Sequence, residues 1–425
     1  MPKYPLVLFQ NRQPNRIATL DEYRQSGGYQ ALEDFIGKRQ PGEVTARIGE
    51  AGLRGRGGAG FPAAKKWLAV PADGAFPRYL AVNADEMEPG TFKDRMLIHA
   101  DPHLIIEGMI LTGYAFTASK AFIFVRPSYE SSAVILESEL EHARQAGYLG
   151  RNILGSTFSF DISVHRSGGR YICGEGTALL NALMGKRPNP TKPPPYPTVK
   201  GLWDRPTVVN NIETLANVPH ILRNGAEWFK RLALSKEGTG TKLYCVSGRV
   251  KNPGCFELPI GIRLSEIIDE FAGGLPAGSE FKACLPGGAS TRYLTREHYD
   301  VEMDFDALAA VGNRLGTAAI MVFDHKTCLV ATTLNLLEFF ARESCGWCTP
   351  CREGLPYIRD LLWRIERGEG REEFIPMIRD MCKFSWNSYC ALAPGATSPV
   401  ESLLTYFENE VREHISQRKC PYDAH

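Results

Sequence analysis

Three thiols fall within seven residues at Cys345-Gly346-Trp347-Cys348-Thr349-Pro350-Cys351. Two-residue spacers let successive sulfurs converge on one centre while the intervening backbone turns around it. A triplet of this kind with one remote cysteine is the ligation pattern of a [4Fe–4S] cluster. A structural zinc site favours two separated cysteine pairs, and three incidental cysteines are the bland alternative. Cys382 and Cys390 both stand open as the fourth ligand, Cys390 lying just ahead of the turn-forming Ala393-Pro394-Gly395. Cys173, Cys245, Cys255, Cys284, Cys328 and Cys420 stand alone along the chain and read as core or surface thiols.

A second concentration of chemistry is Gly55-Arg56-Gly57-Gly58-Ala59-Gly60, which matches G-x-G-x-x-G. The dinucleotide fingerprint needs a strand ahead of that loop. Here Val44, Ile48 and Ala51 recur at the spacing of a helix face, so a helix over 43–53 feeds the loop instead. Glycine-rich backbone beside Arg54, Arg56, Lys65 and Lys66 suits an anion such as a phosphate; a connector with a solvated basic face is the plainer reading. Asn83-Ala84-Asp85-Glu86-Met87-Glu88 directly follows a buried strand, where open α/β sheets bind ligands. The same acids would serve a hard-metal site or an acid-rich helix start. Tyr171-Ile172-Cys173-Gly174-Glu175-Gly176-Thr177 opens a further helix, and Asn210-Asn211-Ile212-Glu213-Thr214 is a strand-to-helix turn that by itself reads as capping.

The elements that must position these residues follow from periodicity. Segments 78–83 and 121–125 read as buried strands and 160–165 alternates with period two, with helices expected over 102–118, 128–146 and 176–184. Strand–helix alternation predicts a mostly parallel sheet covered on both faces. Six prolines within 188–197 make a stiff extended loop. Short strands over 243–250, 254–258 and 280–285 around one helix, 264–271, predict a small α+β domain. From Thr332 onward apolar residues recur at helical spacing, predicting a C-terminal helical bundle.

Composition narrows the function classes. Lys plus Arg number 49 against 48 Asp plus Glu, so no basic footprint for nucleic acid or an anionic membrane exists. At 44% hydrophobic the chain of 425 residues has ample core material and is not disordered. The N-terminal run Leu6-Val7-Leu8-Phe9 is too short for a secretory signal. The most apolar stretch, 103–125, is interrupted by Glu107 and Lys120 and falls short of the ~18 residues that span a bilayer. Eleven cysteines without a signal point to a reducing compartment and metal chemistry.

Several runs closely resemble one family, the NADH-binding FMN and iron–sulfur subunit of respiratory complex I (NADH–quinone oxidoreductase). They are GLRGRGGAGFP (52–62), NADEMEPGTFKDR (83–95), RYICGE (170–175), PTVVNNIETLANVP (206–219), SGRVKNPG (247–254) and ESCGWCTPCREG (343–354), in the family's order over most of the chain. The resemblance implies an α/β flavin/NADH domain over 1–240, a β-grasp-like α+β domain over 241–330, and a helical bundle carrying an iron–sulfur cluster over 331–425. It implies an oxidoreductase and translocase component that oxidises NADH by hydride transfer to FMN and passes single electrons to a [4Fe–4S] cluster, towards quinone.

By motif, Gly55, Arg56, Gly57 and Lys66 would contact the flavin and its phosphate. Asn83, Asp85, Glu86, Gly174, Asn210, Asn211 and Thr214 would complete the flavin pocket. Phe61, Glu88, Glu175 and Tyr196 would help hold the dinucleotide; Glu88 is also the candidate catalytic residue, tuning the flavin potential or ordering water. The resemblance assigns the cluster to Cys345, Cys348, Cys351 and Cys390. Implied partners are a thioredoxin-like [2Fe–2S] subunit and the large iron–sulfur subunit of complex I, with no nucleic acid and no direct membrane insertion. The implied location is peripheral, at the cytoplasmic side of the bacterial inner membrane. A diaphorase subunit of a soluble NAD-linked hydrogenase or formate dehydrogenase is the alternative, and a flavin-free iron–sulfur relay scaffold the non-enzymatic one.

Four positions depart from the family pattern. Where the family usually reads CGEET, this chain has Cys173-Gly174-Glu175-Gly176-Thr177. The missing acid is expected near the adenosine ribose, where it would repel the extra phosphate of NADPH; Gly176 therefore predicts weaker exclusion, with Arg187, Lys192 or Lys200 in support. Ala63-Ala64 replaces the usual Thr-Gly beside the loop, and Lys192 comes one residue early.

Overall fold

A computed structural model describes residues 3–422. The chain forms two compact units. The first takes the chain up to Met87, Phe92–Tyr244 and Cys255–Ile262; the second takes Glu88–Thr91, Cys245–Gly254 and the chain from Arg263 on.

The first unit holds a four-stranded sheet of β1 (Tyr79–Ala84), β2 (Lys120–Val125), β3 (Asp161–Arg166) and β4 (Thr207–Asn211), in the order β3-β2-β1-β4. All three pairings are parallel, as the strand–helix alternation predicts. The chain leaves β1 to build β2 and β3 on one side and returns to place β4 on the other. The crevice between β1 and β4 is thus a topological switch point, and Asn83 lies opposite Asn211 at its rim.

Helix Pro102–Ala115 is buried along its whole length, which accounts for its almost uninterrupted apolar sequence. Asp101 caps it, accepting from the Leu104 amide at 3.1 Å, and Pro102 opens it. At Gly108 a Cβ would lie 2.1 Å from the Leu215 carbonyl oxygen, so only glycine lets this helix approach helix Ile212–Asn224 so closely. Glu107 is buried and accepts from the Tyr23 hydroxyl at 2.5 Å and the amides of Tyr29 and Leu32 at 2.8 and 3.1 Å, tying the N-terminal helices to the core. The apolar run at the N-terminus is fastened similarly. Val7, Leu8 and Phe9 donate their amides to the buried Glu257 carboxylate at 3.1, 2.9 and 2.8 Å.

Beneath the switch point four buried charges meet. Lys242 Nζ lies 2.6 Å and Lys93 Nζ 2.8 Å from Glu213, and Lys93 Nζ lies 2.5 Å from Asp94. Burial opposes the charge on Glu213, yet the ammonium groups of Lys242 and Lys93 hold its carboxyl below the usual range. Burial likewise disfavours the Lys93 ammonium, and Asp94 and Glu213 overcome it. For Lys242 burial wins, and its ammonium is pushed down to about 8.

A second sheet comprises β5 (Thr241–Gly248), β6 (Gly254–Pro259), β7 (Phe281–Leu285), β8 (Leu294–Thr295) and β9 (Ala319–Asp324), ordered β6-β5-β9-β7-β8. β9 runs parallel to β5 and antiparallel to β7, and periodicity predicts neither β8 nor β9. The expected helix 264–271 is one α-turn, Leu264–Glu266, continued as the π-helix Ile267–Phe271. Beyond it, helices Leu329–Glu343, Gly354–Glu366, Phe374–Ser385, Leu392–Tyr406 and Glu408–Gln417 pack on one another. Among the described residues no helix is long and apolar enough to cross a membrane.

Replacing Glu213 by Gln leaves two ammonium groups buried against one carboxylate. Unfolding followed by far-UV circular dichroism should show a loss of about 3–5 kcal/mol. Glu227→Gln, which breaks an exposed pair with Lys230, should leave the midpoint unchanged.

Candidate functional site

The glycine-rich loop is fed by helix Pro41–Glu50, as expected, and not by a strand. It is folded back on itself by Gly55 N donating to Phe61 O at 2.9 Å and by Arg54 Nε donating to Gly60 O at 2.9 Å. The amide of Arg56 donates to Thr214 Oγ1 at 2.8 Å, which fastens the loop to the start of helix Ile212–Asn224. At Gly57 a Cβ would fall 2.9 Å from the Asn211 Cβ, so the loop backbone lies directly against the end of β4. The Asn211 amide is held at both ends. Its Nδ2 donates to Asn83 O at 3.2 Å and to Asp94 Oδ2 at 2.7 Å, and its Oδ1 accepts from Lys93 at 3.3 Å. Asn210 Oδ1 accepts from the Trp67 indole at 3.2 Å. Asn83 Oδ1 accepts from the Asp85 amide at 2.9 Å, and its Nδ2 reaches Gly174 O at 3.4 Å. The structure therefore brings Gly57, Asn83, Gly174, Asn211 and Thr214 to one crevice in the first unit, floored by side-chain amides.

Lys66 bears on what fills that crevice. Its ammonium is half-buried, donates to Val209 O at 2.9 Å, and forms no ion pair among the described residues; burial alone pushes it down. A cation at the sheet edge answered only by a neutral carbonyl fits a group carrying a phosphate, as FMN does. The amides of the crevice floor are bonded within the protein and fix its shape.

Other expected residues are engaged differently. The Arg56 side chain is fully buried, donates to Thr239 O at 2.7 Å and is pushed down to about 10 by burial, so its cation does not face open solvent. Glu86 is also buried. Its carboxylate caps helix Lys93–Ala100 through the amides of Asp94 and Arg95 at 2.9 and 3.2 Å, and burial, with Asp94 beside it, pushes it up to about 7. Glu175 caps helix Gly176–Leu183, accepting from the Ala178 amide at 2.9 Å and the Thr177 hydroxyl at 2.5 Å. A Cβ at Gly176 would meet only Val209 at 4.0 Å. Phe61 and Tyr196 are 51% and 62% exposed, leaving ring faces available. Glu88 belongs to the second unit, where its carboxylate accepts from the Ser290 amide at 2.7 Å.

In the second unit the cysteine triplet straddles the start of a short helix, Thr349–Arg352, and the Cys351 amide donates to Cys348 O at 3.2 Å. Burial pushes the Cys351 thiol up to about 12; Ser344, 3.1 Å from its sulfur, works against the shift, while Cys348, Cys390 and Cys345 reinforce it as neighbours of like charge. The Tyr389 amide points at Cys348 Sγ at 3.5 Å. Cys382 is buried elsewhere, and the charges it feels are those of Glu401 and Arg379. Cys345, Cys348, Cys351 and Cys390 thus converge while Cys382 stands apart. Four thiols with a backbone N–H donor and a hydroxyl within hydrogen-bonding distance of sulfur are a donor set that fits an iron–sulfur cluster.

Two thiols that stand alone in the sequence do not stand alone in the fold. Cys328 and Cys420 meet Glu366 and His414 in a buried group whose ligand atoms lie within 4.8 Å of one another. Separations of 38, 48 and 6 residues carry no local signature, so only the fold reveals it.

Comparison with known proteins follows the same division. Residues 48–220 match the Nuo51 FMN-binding domain, 243–292 the SLBB domain, and 331–414 the NADH-ubiquinone oxidoreductase-F iron-sulfur binding region. A parallel α/β unit of the first kind joined to a cysteine-bearing helical segment of the last kind defines a flavin- and iron–sulfur-containing oxidoreductase. The NADH-quinone oxidoreductase F subunit of Salmonella typhimurium is 48% identical over 401 residues, 94% of this chain and 90% of the relative. A Rhizobium meliloti relative, the second F subunit named for that organism's enzyme, is 46% identical over 95% of this chain and 96% of its own length. A chain of an NAD+-reducing [NiFe]-hydrogenase crystal structure superposes with a TM-score of 0.83 at 33% identity, covering 95% of this chain and 68% of that one. The chain belongs to the NADH-quinone oxidoreductase F-subunit family. Its cofactors are FMN and a [4Fe–4S] cluster, and its substrate is NADH.

Gly57→Ala should weaken FMN binding about tenfold, the effect of ~1–3 kcal/mol of overpacking, with unchanged circular dichroism; flavin released on denaturation measures it. Cys390→Ser should abolish the [4Fe–4S] signal in electron paramagnetic resonance of the reduced chain, whereas Cys382→Ser should retain it and the full iron content.

Proposed function

We propose that this chain is the electron-entry subunit of a bacterial NADH–quinone oxidoreductase. The observation that carries the reading is the presence in one chain of both cofactor regions, each formed by residues that the fold gathers from distant parts of the sequence. Bound FMN supplies the conversion of a two-electron hydride into the single-electron steps that an iron–sulfur cluster accepts. What the chain itself contributes is binding and orientation. Lys66 would answer the phosphate charge, Gly57 lets the loop backbone close on Asn211, and Asn83 with Asn211, both bonded within the protein, would hold the wall of the flavin pocket in shape. The exposed rings of Phe61 and Tyr196 would offer stacking faces for the dinucleotide, and Glu175 fixes the start of its helix. No side-chain acid or base is needed for the hydride itself; near-attack alignment is the chain's work.

The finer organisation belongs to the same reading. The three stretches matched by family profiles support a division into a flavin domain over 1–240, a β-grasp-like domain over 241–330 and a cluster-bearing helical bundle over 331–425. The partners on this reading are a thioredoxin-like [2Fe–2S] subunit and a large iron–sulfur subunit, in a peripheral arm on the cytoplasmic side of the inner membrane. Relatives at 48% identity that carry the F-subunit name outweigh the hydrogenase likeness at 33%, so a diaphorase role is the less favoured.

Anaerobic addition of NADH to the purified chain with its smallest stable partner should bleach the flavin bands over a broad iron–sulfur shoulder. A brown protein with no flavin and no response after added FMN would leave only the relay scaffold. The same assay with NADPH grades Gly176. Wild type should oxidise NADPH measurably, and Gly176→Glu should lower the NADPH to NADH ratio of kcat/KM about tenfold through like-charge repulsion. Equal ratios in both proteins would remove Gly176 from cofactor selection.

A further inference from the structure

The buried group formed by Cys328, Glu366, His414 and Cys420 lies within the second unit and uses none of the cysteines of the triplet or Cys390. Cys328 is the N-cap of helix Leu329–Glu343, Glu366 ends helix Gly354–Glu366, and His414 stands on helix Glu408–Gln417, with Cys420 following. All four are at least nine-tenths buried. Cys328 Sγ lies 3.3 Å from His414 Nε2 and 3.6 Å from Glu366 Oε2, and His414 Nε2 lies 3.2 Å from Glu366 Oε2. Around a tetrahedral zinc ion the corresponding ligand-to-ligand distances, S···N, S···O and N···O, come out at about 3.5, 3.6 and 3.4 Å from ordinary zinc bond lengths.

The surroundings point the same way. His414 Nδ1 donates to the Glu410 carbonyl at 2.7 Å, so in the neutral ring the lone pair sits on Nε2 and is aimed into the group. The Ala331 amide donates to Cys328 Sγ at 3.2 Å, and a helix N-terminus facing sulfur favours the thiolate. Two thiolates, one imidazole and one carboxylate form a mixed sulfur, nitrogen and oxygen donor set with no position left to solvent.

We infer that Cys328, Glu366, His414 and Cys420 form a structural zinc site that pins the segment following helix Glu408–Gln417 to the helices before it. Binding displaces the thiol protons to solvent and leaves the oxidation state of every atom unchanged. The site is independent of the electron-transfer reading, because none of its four residues is among the cluster cysteines or the residues of the flavin crevice.

The test is metal analysis of the full-length holoprotein from zinc-replete growth, with X-ray absorption at the zinc edge. Expected are one zinc per chain alongside the cluster iron, and a first coordination sphere of two sulfurs and two nitrogen or oxygen atoms. Zinc should remain in Cys390→Ser, whose cluster is lost, and should vanish in Cys420→Ser and His414→Ala while FMN is retained. Absence of zinc from the wild-type chain would overturn the inference. So would a four-sulfur zinc environment that disappears in Cys390→Ser, or a Cys328–Cys420 disulfide found by mass spectrometry. Because the wild-type spectrum decides, a variant that fails to fold does not shelter the proposal.

Discussion

The crevice between β1 and β4 rests on four charges that water never reaches. Removing an ion from solvent costs several kcal/mol even after relaxation, and a buried pair is kept only where geometry repays it. Here Lys93 and Lys242 face Asp94 and Glu213 at hydrogen-bonding distances, so the group is neutral overall. The Leu243 amide adds a bond to Glu213 at 2.9 Å, so the start of β5 is also held. Asp94 and Lys93 then grip opposite ends of the Asn211 amide, which fixes the side chain against which the glycine loop closes. An apolar cluster of equal volume would fill the space, but it has no directional hold on Asn211.

Two near-contacts show how tightly this arrangement is drawn. Gly108 allows one buried helix to rest on the backbone of another, and Gly57 allows a loop to rest on a strand end. Both are packing requirements rather than turns, and both converge on the segment 207–224, which carries β4, Asn211 and Thr214. That segment links the sheet to the loop, which accounts for the density of bonds around it. The acids near the crevice are mostly structural. Glu86 and Glu175 saturate helix starts, and their carboxylates do for backbone amides what a capping residue does on the surface.

The helical segment of the second unit solves a different problem with sulfur. Its cysteines sort into a short-range set with an amide donor and a hydroxyl at sulfur, and a long-range set where thiols share space with an imidazole and a carboxylate. The first set is built by two-residue spacing, which makes the backbone turn around a centre. The second is built by helix packing, which brings together the ends of three helices and the segment beyond the last.

Local pattern determined a good deal of this protein. The strands expected over 78–83, 121–125 and 160–165 match Tyr79–Ala84, Lys120–Val125 and Asp161–Arg166 to within one residue at each end, the first two because buried parallel strands are mostly apolar runs and the third because an edge strand alternates with period two. The cysteine triplet and the polar strand ends were equally legible, being contiguous. Tertiary structure alone decided the strand order, and hence that Asn83 and Asn211 share a crevice. It also decided that Glu107 and Glu86 serve as buried caps, that Cys390 rather than Cys382 approaches the triplet, and that Cys328 and Cys420 meet at all. β9 is illegible for the same reason: its short apolar run becomes a strand by pairing with β5 and β7, and nothing nearby in sequence marks it. Periodicity and spacing act over a few residues, whereas these contacts join residues up to 128 apart, and their geometry exists only once the core has packed.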